Sequence, residues 1–465
     1  MKKSKSGFDA IVVGSGPGGA TVAMDLSKQG KKVLILEWGD NDPKKGSFFS
    51  AVPRAFIPGK SIVMTRQAVP IVRAITTGGS SMIFCGSAFD PPVDMFKSYG
   101  VDISAEVKEM RNDVPIAPLP DELMGAGPNA FLESAVDLGY DGHKLNHFLH
   151  PSKCTLNCQR CMYGCPYNAK WDAREFVDKA LENGAKLINR AKVTKVIIEN
   201  KKAIGVEYKY NKEIYRAYAP KTIIAAGGIG SPIILRQSGM RSAGYDFFFD
   251  PLVFVYGKIK GLGSGKSIPM SAGVHFEEDG IVITDFNMPQ MMKIVFDLEV
   301  FKVKQAFSYA DTLPLMIKVR DDLGGSVLNN GWVNKSLTKN DKLKLDKGSE
   351  HAKRILTNAG ATDIYKSWRV AAHPGGTVKI GELVDTDLKT KFDNLYVCDC
   401  SVIPQEWGLP PTTSIIALGK RLVKHLMAQE QNQEQKQEQT TKKEDLVLAV
   451  SNQKTAETPV AAAAS

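Results

Sequence analysis

Residues 8–37, FDAIVVGSGPGGATVAMDLSKQGKKVLILE, run in the order strand, glycine turn, helix, strand and acid. Asp9 to Val13 is an apolar run too short for a helix, and Gly14, Gly16 and Gly19 follow at the G-x-G-x-x-G spacing just where a helix opens. Gly14 permits the tight turn, Gly16 lets backbone approach a pyrophosphate, and Gly19 lets the helix pack on the strand. The candidate phosphate cradle is the whole turn, Gly14, Ser15, Gly16, Pro17, Gly18 and Gly19, because free N–H groups at a helix start attract anions. Glu37 closes the next strand, Lys32 to Leu36, where an acid accepts hydrogen bonds from an adenosine ribose. This stretch predicts a bound dinucleotide and leaves open whether it is NAD or FAD.

The chain has 465 residues, of which 43% are hydrophobic, and 41 glycines, enough for two domains with real cores of the α/β class. MKKSKSGFDA at the start has basic residues but no apolar stretch of about 7 to 15 residues, so no signal peptide is expected. No run approaches roughly 18 apolar residues, so no transmembrane segment is expected either, and the location implied is cytoplasmic. The net charge of +10, from 60 basic and 50 acidic residues, is spread along the chain. A nucleic-acid stripe needs tighter clustering, so no nucleic-acid partner is expected. After Ala428 the polar run QEQNQEQKQEQTTKKED leads to TPVAAAAS, a tail expected to be disordered or a frayed helix.

A second signal shows where the nucleotide domain resumes. Val193 to Glu199, Ala203 to Tyr210 and Glu213 to Tyr218 read as a three-stranded meander joined by short turns. Thr222 to Ala226 then reads as a buried parallel strand, followed by a second glycine turn at Gly227, Gly228 and Gly230. A meander inserted in a nucleotide-binding sheet points to FAD; an NAD dehydrogenase places the second half of a six-stranded sheet here.

At this point the chain resembles the glucose-methanol-choline (GMC) oxidoreductases. Four ordered stretches carry the likeness: GSGPGG at 14–19, TTGGSSMIF at 76–84, GGIGSPIILRQSGM at 227–240 and HPGGTVKIGELVDTDLKTKFDNLYVCDCSVIP at 373–404. The resemblance implies FAD-dependent oxidation of an alcohol. The fold implied is α/β, an FAD-binding Rossmann-like domain with an inserted β-meander beside an α+β substrate domain on an antiparallel sheet. The expected division is 1–95, 151–240 and 366–428 for the FAD-binding domain, with the cysteine-rich segment inside its second part. The substrate domain takes 96–150 and 241–365, and the tail takes 429–465. Beyond the first turn and Glu37, the expected cofactor-binding residues are Gly78, Gly79, Ser80, Val193, Gly227, Asp399, Pro411 and Thr412. No histidine lies between Ser61 and Asp90, where some relatives attach FAD, so the FAD is expected to be non-covalent.

Oxidising CH–OH to C=O needs a hydride acceptor and a base for the hydroxyl proton. A neutral histidine suits the second task because its ordinary pKa of about 6.5 lies near working pH. His373 aligns with the family's catalytic histidine and sits beside a Pro-Gly-Gly-Thr turn that removes bulk. His143, His147 and His150 have spacings that fit one helix face, with a surface helix or loop as the expectation. Pro410 stands where many relatives carry asparagine or histidine, which leaves the second hydrogen-bonding role vacant or assigned to Trp407 or Thr412. Thr412 also opens a helix whose apolar face includes Ile415, Ile416, Leu418, Leu422, Val423 and Leu426.

Cys154, Cys158, Cys161 and Cys165, in PSKCTLNCQRCMYGCPYNAK, hold four of the 7 cysteines. The last three match the tail of the ferredoxin run C-x2-C-x2-C-x3-C-P, and the first spacing is one residue longer. The candidates are a 4Fe-4S cluster, favoured by that match, a structural zinc, or thiols without metal. A cluster would pass flavin electrons singly to an external acceptor or redox partner, making the enzyme a dehydrogenase rather than an oxidase. Cys398 and Cys400 straddle Asp399 on an expected strand and read as core packing, as does Cys85.

Met270, Met288, Met291 and Met292 are core filler or the lining of an apolar pocket, which leans the small-molecule substrate towards a lipophilic or aromatic alcohol. Two other readings stay open: an iron-sulfur flavoprotein reductase working on C=O or C=C, and a non-catalytic flavin-fold binding protein.

Overall fold

Five strands lie in the order Lys186–Ile188, Val33–Leu36, Ala10–Val13, Lys221–Ile224 and Leu395–Val397, every neighbouring pair parallel. The inner strands and Leu395–Val397 are short apolar runs, buried on both faces as parallel strands require, while Lys186–Ile188 is a partly exposed edge. In this computed structural model, residues 2–3 and 7–456 are described, with side chains from Gly7 to Gln435 and at Gln439. Helix Pro17–Lys28 returns from the first strand to the second, and helix Thr412–Ala456 packs beside it. The register pairs Val13 with Leu36 and with Ile224, and Ile224 with Val397. Gly14, Glu37, the 225–227 turn and Asp399 therefore leave the sheet at one carboxyl edge, where open α/β sheets bind their ligands.

The meander forms as the sequence predicts. Strands Lys192–Glu199, Lys202–Tyr210 and Glu213–Tyr218 pair antiparallel, and Lys2–Lys3 adds to the last of them. A larger, mostly antiparallel sheet is built around Pro251–Lys258, Thr312–Val319, Ile281–Asp285 and Ala272–Phe276. Helix Lys339–Asn358 packs on this sheet. Thr338 and Asp341 form a reciprocal cap at its start.

Some expectations change. Phe96, Val101 and Met110 pack into the core of the first sheet, whereas Phe131 and Ala135 of helix Ala126–Asp137 pack into the second. The stretch 96–150, read as one piece of the substrate domain, is thus shared between two cores. His143 and His147 lie on the short strands Gly142–Lys144 and Asn146–Phe148, not on a helix, because both pair with neighbouring strands. Residues 429–456 continue the last helix, where a disordered or frayed tail is expected; 457–465 lie outside the described residues. Cys398 is a buried core residue just past its strand, and Cys400 opens a 3-10 turn in which its Sγ meets the Pro374 carbonyl at 3.0 Å.

Candidate functional site

The first glycine turn has the shape that a phosphate needs. Gly14 has φ +98°, and a Cβ there would run into the Ala225 carbonyl of the neighbouring strand. Gly16 caps helix Pro17–Lys28 with no side chain bonded to the free N–H groups and no acid in the first turn. Space beside Gly16 is open. The first-turn N–H groups and the helix dipole thus remain available to an anion, which fits a pyrophosphate.

Glu37 is buried and burial raises its carboxyl pKa. Its Oε2 accepts the Ser15 N–H at 3.0 Å and hydroxyl at 2.6 Å, and its Oε1 accepts the Gly39 N–H at 2.7 Å. Glu37 is therefore tied to the glycine turn itself. The Gly78 N–H donates to the Ser15 hydroxyl at 3.2 Å, so the 78–80 stretch lies against that turn. Ser80 uses its hydroxyl locally, accepting from the Ala74 N–H at 3.1 Å. Val193 is buried at the start of the meander, two residues beyond Ala191, whose N–H bonds the Glu37 carbonyl at 2.8 Å.

Asp399 closes the other side. Its carboxylate accepts the Gly227 N–H at 2.8 Å, the Ser231 hydroxyl at 2.5 Å and the Ser401 N–H at 2.8 Å, clamping the second glycine turn to the C-terminal segment. A Cβ at Gly228 would strike the Pro374 carbonyl, and the Thr377 hydroxyl donates to the Gly228 carbonyl at 2.8 Å. These contacts seat the His373 turn directly on the second glycine turn.

His373 adopts φ +51°, a conformation rare outside glycine that marks a position the surroundings enforce. Its Nδ1 lies 3.1 Å from Asp250 Oδ2. The buried Lys318 Nζ approaches the same oxygen at 3.3 Å, and the Gly408 N–H donates to Asp250 Oδ1 at 2.9 Å. Burial, then the Lys318 charge, lowers the His373 pKa, and Asp250 opposes both. In its neutral form, with the Asp250 carboxylate as acceptor, His373 carries its proton on Nδ1 and leaves Nε2 unprotonated. Sequence reasoning missed Asp250 and Lys318. The available signal was an acid after three phenylalanines, FFFDP at 247–251, since a charge in an apolar run implies a buried partner.

Pro411 and Thr412 stand at the start of the last helix, and Trp407 just before it is buried with Nε1 unpartnered. Ser401 and Ser414 hydroxyls in the same stretch are also buried without partners. Beside His373, Ala372 borders an apolar cluster of Cys85, Phe254, Met270, Phe286, Met288 and Met316. Met270 and Met288 are where the sequence expects them and Met292 packs against the cluster, but Met291 is turned to solvent.

None of the four cysteines forms a disulfide, and burial raises the Cys154 thiol pKa to about 11, with Cys158 and Cys165 adding to it. Cys154, Cys158 and Cys161 line one cavity with Met162 and Pro269. Among the described residues, no three His, Cys, Asp or Glu side chains are arranged to hold a metal ion. Lys170 is buried beneath, donating to the carbonyls of Ser81, Met82 and Phe84 at 2.8–3.1 Å, and burial lowers its pKa to about 8. His147 is buried too, with Nε2 3.3 Å from the Pro269 carbonyl.

A glycine cradle and a buried acid at the carboxyl edge of a parallel sheet, with a histidine–carboxylate pair seated against it, place the protein among nucleotide-dependent oxidoreductases. The chain belongs to the GMC oxidoreductase family, whose N-terminal profile matches residues 8–251 and whose C-terminal profile matches residues 326–419. An uncharacterised protein of Methanocaldococcus jannaschii is 29% identical over 90% of this chain and all of its own length. A long-chain-alcohol oxidase of Arabidopsis thaliana is 22% identical over 88% of this chain and 66% of its own. Among solved structures, pyridoxine 4-oxidase is similar with a TM-score of 0.70 and 14% identity over 90% of this chain and 99% of that one. Formate oxidase gives a TM-score of 0.72 with 14% identity over 92% of this chain and all of that one. These likenesses bear out the α/β flavoenzyme fold. Among the described residues no helix is long and apolar enough to cross a membrane.

Proposed function

We propose that the protein binds FAD non-covalently and oxidises the CH–OH group of a small-molecule alcohol, with His373 as general base. The observation that carries this is the Asp250–His373 pair, packed through Pro374 and Gly228 onto the second glycine turn. When bound, FAD supplies the hydride acceptor at its flavin ring. Gly14 to Gly19 hold the pyrophosphate, Glu37 the ribose, Gly78 to Ser80 cover the first turn, and Val193, Gly227 and the Asp399 clamp complete the cradle. Pro411 and Thr412 present a helix N-terminus whose partial positive charge favours an anionic reduced ring. His373 Nε2 takes the hydroxyl proton as C=O forms, and Asp250 keeps Nδ1 protonated and stabilises the resulting imidazolium. The orphaned Trp407 Nε1, one residue from Gly408 on the Asp250 carboxylate, supplies the donor that Pro410 lacks.

The relatives named above as oxidases favour oxygen as the acceptor. The four cysteines carry a second reading, an exit for electrons through a 4Fe-4S cluster, on their ferredoxin-like spacing alone, since among the described residues the thiols are not arranged to hold a metal ion. A cluster at that run would make the protein a dehydrogenase serving an external acceptor. The apolar cluster beside His373 supports a lipophilic alcohol.

The test is His373→Gln in the flavin-loaded protein. Anaerobic flavin reduction by an accepted alcohol is expected to slow roughly 10²–10⁴-fold, and unchanged reduction removes His373 from the reaction. Oxygen consumption during turnover separates oxidase from dehydrogenase.

A further inference from the structure

Helix Gln290–Glu299 turns an apolar stripe to solvent while it buries an ion pair beside Met292 and Phe296. Its inward face carries charge: Lys293 and Asp297 are buried and paired at 2.6 Å, with Asp297 also accepting the Tyr365 hydroxyl at 2.6 Å and Lys293 donating to the Gln305 carbonyl at 3.0 Å. Its outward face is apolar, with Met291, Val295 and Leu298 each about half exposed. The following turn extends that face through Phe301, Val303 and Phe307, the two phenylalanines 87% exposed. Phe301 is held out at φ +58°, just past the helix end, where glycine or asparagine is the usual occupant. In water a helix buries its apolar stripe and exposes its charges. A contiguous exposed apolar stripe with an ion pair buried behind it points to a nonaqueous neighbour.

The charge around the patch limits what that neighbour is. Lys302 and Lys304 are exposed beside Phe301 and Val303; the Lys302 ammonium lies 5.6 Å from the Tyr365 ring centroid, and neither lysine forms an ion pair among the described residues. Glu299 is the lone acid from Leu298 to Phe307. Lysine is depleted in protein–protein interfaces, whereas an apolar face edged by lysine is the pattern of a helix lying in a lipid headgroup region. The inner side of the same helix places Met292 and Phe296 against the apolar cluster that includes Ala372, next to His373.

We propose that residues 291–307 form a monotopic docking face for bilayers that contain anionic lipid, and that the protein takes a lipid-dissolved alcohol from that surface. The second clause rests on the alcohol-oxidising reading above; the first does not. The phenylalanines enter the interface, Lys302 and Lys304 meet lipid phosphates, and the substrate-side cluster lies directly behind the docked helix.

Co-sedimentation of the full-length protein with phosphatidylcholine vesicles, with and without phosphatidylglycerol, tests the face. Binding is expected on the mixed vesicles, falling about tenfold or more with Leu298→Ser, Phe301→Ser and Phe307→Ser combined. Lys302→Gln with Lys304→Gln is expected to weaken it about tenfold and to flatten its salt dependence. All five positions are exposed, so unchanged thermal unfolding checks that the variants fold. No sedimentation with either vesicle overturns the proposal. So does a concentration-dependent dimer abolished by the same serine substitutions, which would assign the face to a second copy of the chain. Vesicle binding retained in His373→Gln, alongside loss of flavin reduction, separates docking from chemistry; vesicle binding without alcohol oxidation by the unaltered protein would sink the alcohol reading alone.

Discussion

Asp250 holds His373 from behind: its Oδ2 lies 3.1 Å from the imidazole Nδ1, and the same oxygen receives Lys318 Nζ at 3.3 Å. Asp250→Asn keeps the shape and removes the charge that favours the imidazolium and the Nδ1–H tautomer. Flavin reduction should fall roughly 10²–10⁴-fold with KM little changed. A rate within a factor of about two of the unaltered enzyme in stopped-flow traces would show that Asp250 does not act through His373.

The pH dependence follows from the same group. A base must be unprotonated, and burial and Lys318 both lower the His373 pKa from its ordinary 6.5. The acid limb of kcat/KM should therefore fall below pH 6.5, with activity kept into mildly acidic solution. Lys318→Met removes one of the two lowering influences and should move that limb upward. A limb that stays in place would mean that another group titrates.

Gly228→Ala tests the contact that seats the histidine turn. The added methyl meets backbone at Pro374, which has no room to rotate away. Turnover should drop by about tenfold or more, because small misplacement of a catalytic group is costly. Flavin content measured after gel filtration should change less than turnover; the reverse ratio would place the damage at the cradle.

Asp285 makes stability pH-sensitive. Burial raises its carboxyl pKa to about 7, while the unfolded chain ionises near 3.8. The folded state therefore pays for the charge only above the ordinary carboxylate range, and fully so beyond about pH 7. Asp285→Asn can still accept the Ala272 N–H, now 2.8 Å from the carboxylate. It should raise Tm at pH 8 relative to the unaltered protein and change it little at pH 4. Equal Tm differences at both pH values would refute the assignment.

Anaerobically purified protein is expected to contain iron and acid-labile sulfide, lost on Cys161→Ser with flavin retained. Flavin without iron or sulfide would leave the four cysteines as structural thiols.

How much of this was legible follows from the range of each interaction. The cradle, Glu37 and the meander were readable because a strand, a glycine turn and a helix are specified by neighbours within about 30 residues. His373 and the cysteine run were readable as short motifs. His143 was read off its strand because its partner, the strand Ala272–Phe276, arrives more than a hundred residues later.

The sequence by itself determined the dinucleotide cradle, the second glycine turn and the family, since turn chemistry and apolar periodicity are local. The tertiary structure decided which groups surround His373 and which face of helix Gln290–Glu299 looks outward. Asp250 and His373 are 123 residues apart, and they meet only because the strand after Asp250 pairs with the one before His373 in the antiparallel sheet, Pro251 opposite Ala371. The orientation of the helix is settled the same way: periodicity marks two faces, but the buried pairing of Lys293 with Asp297 and Tyr365 selects the charged one for the interior.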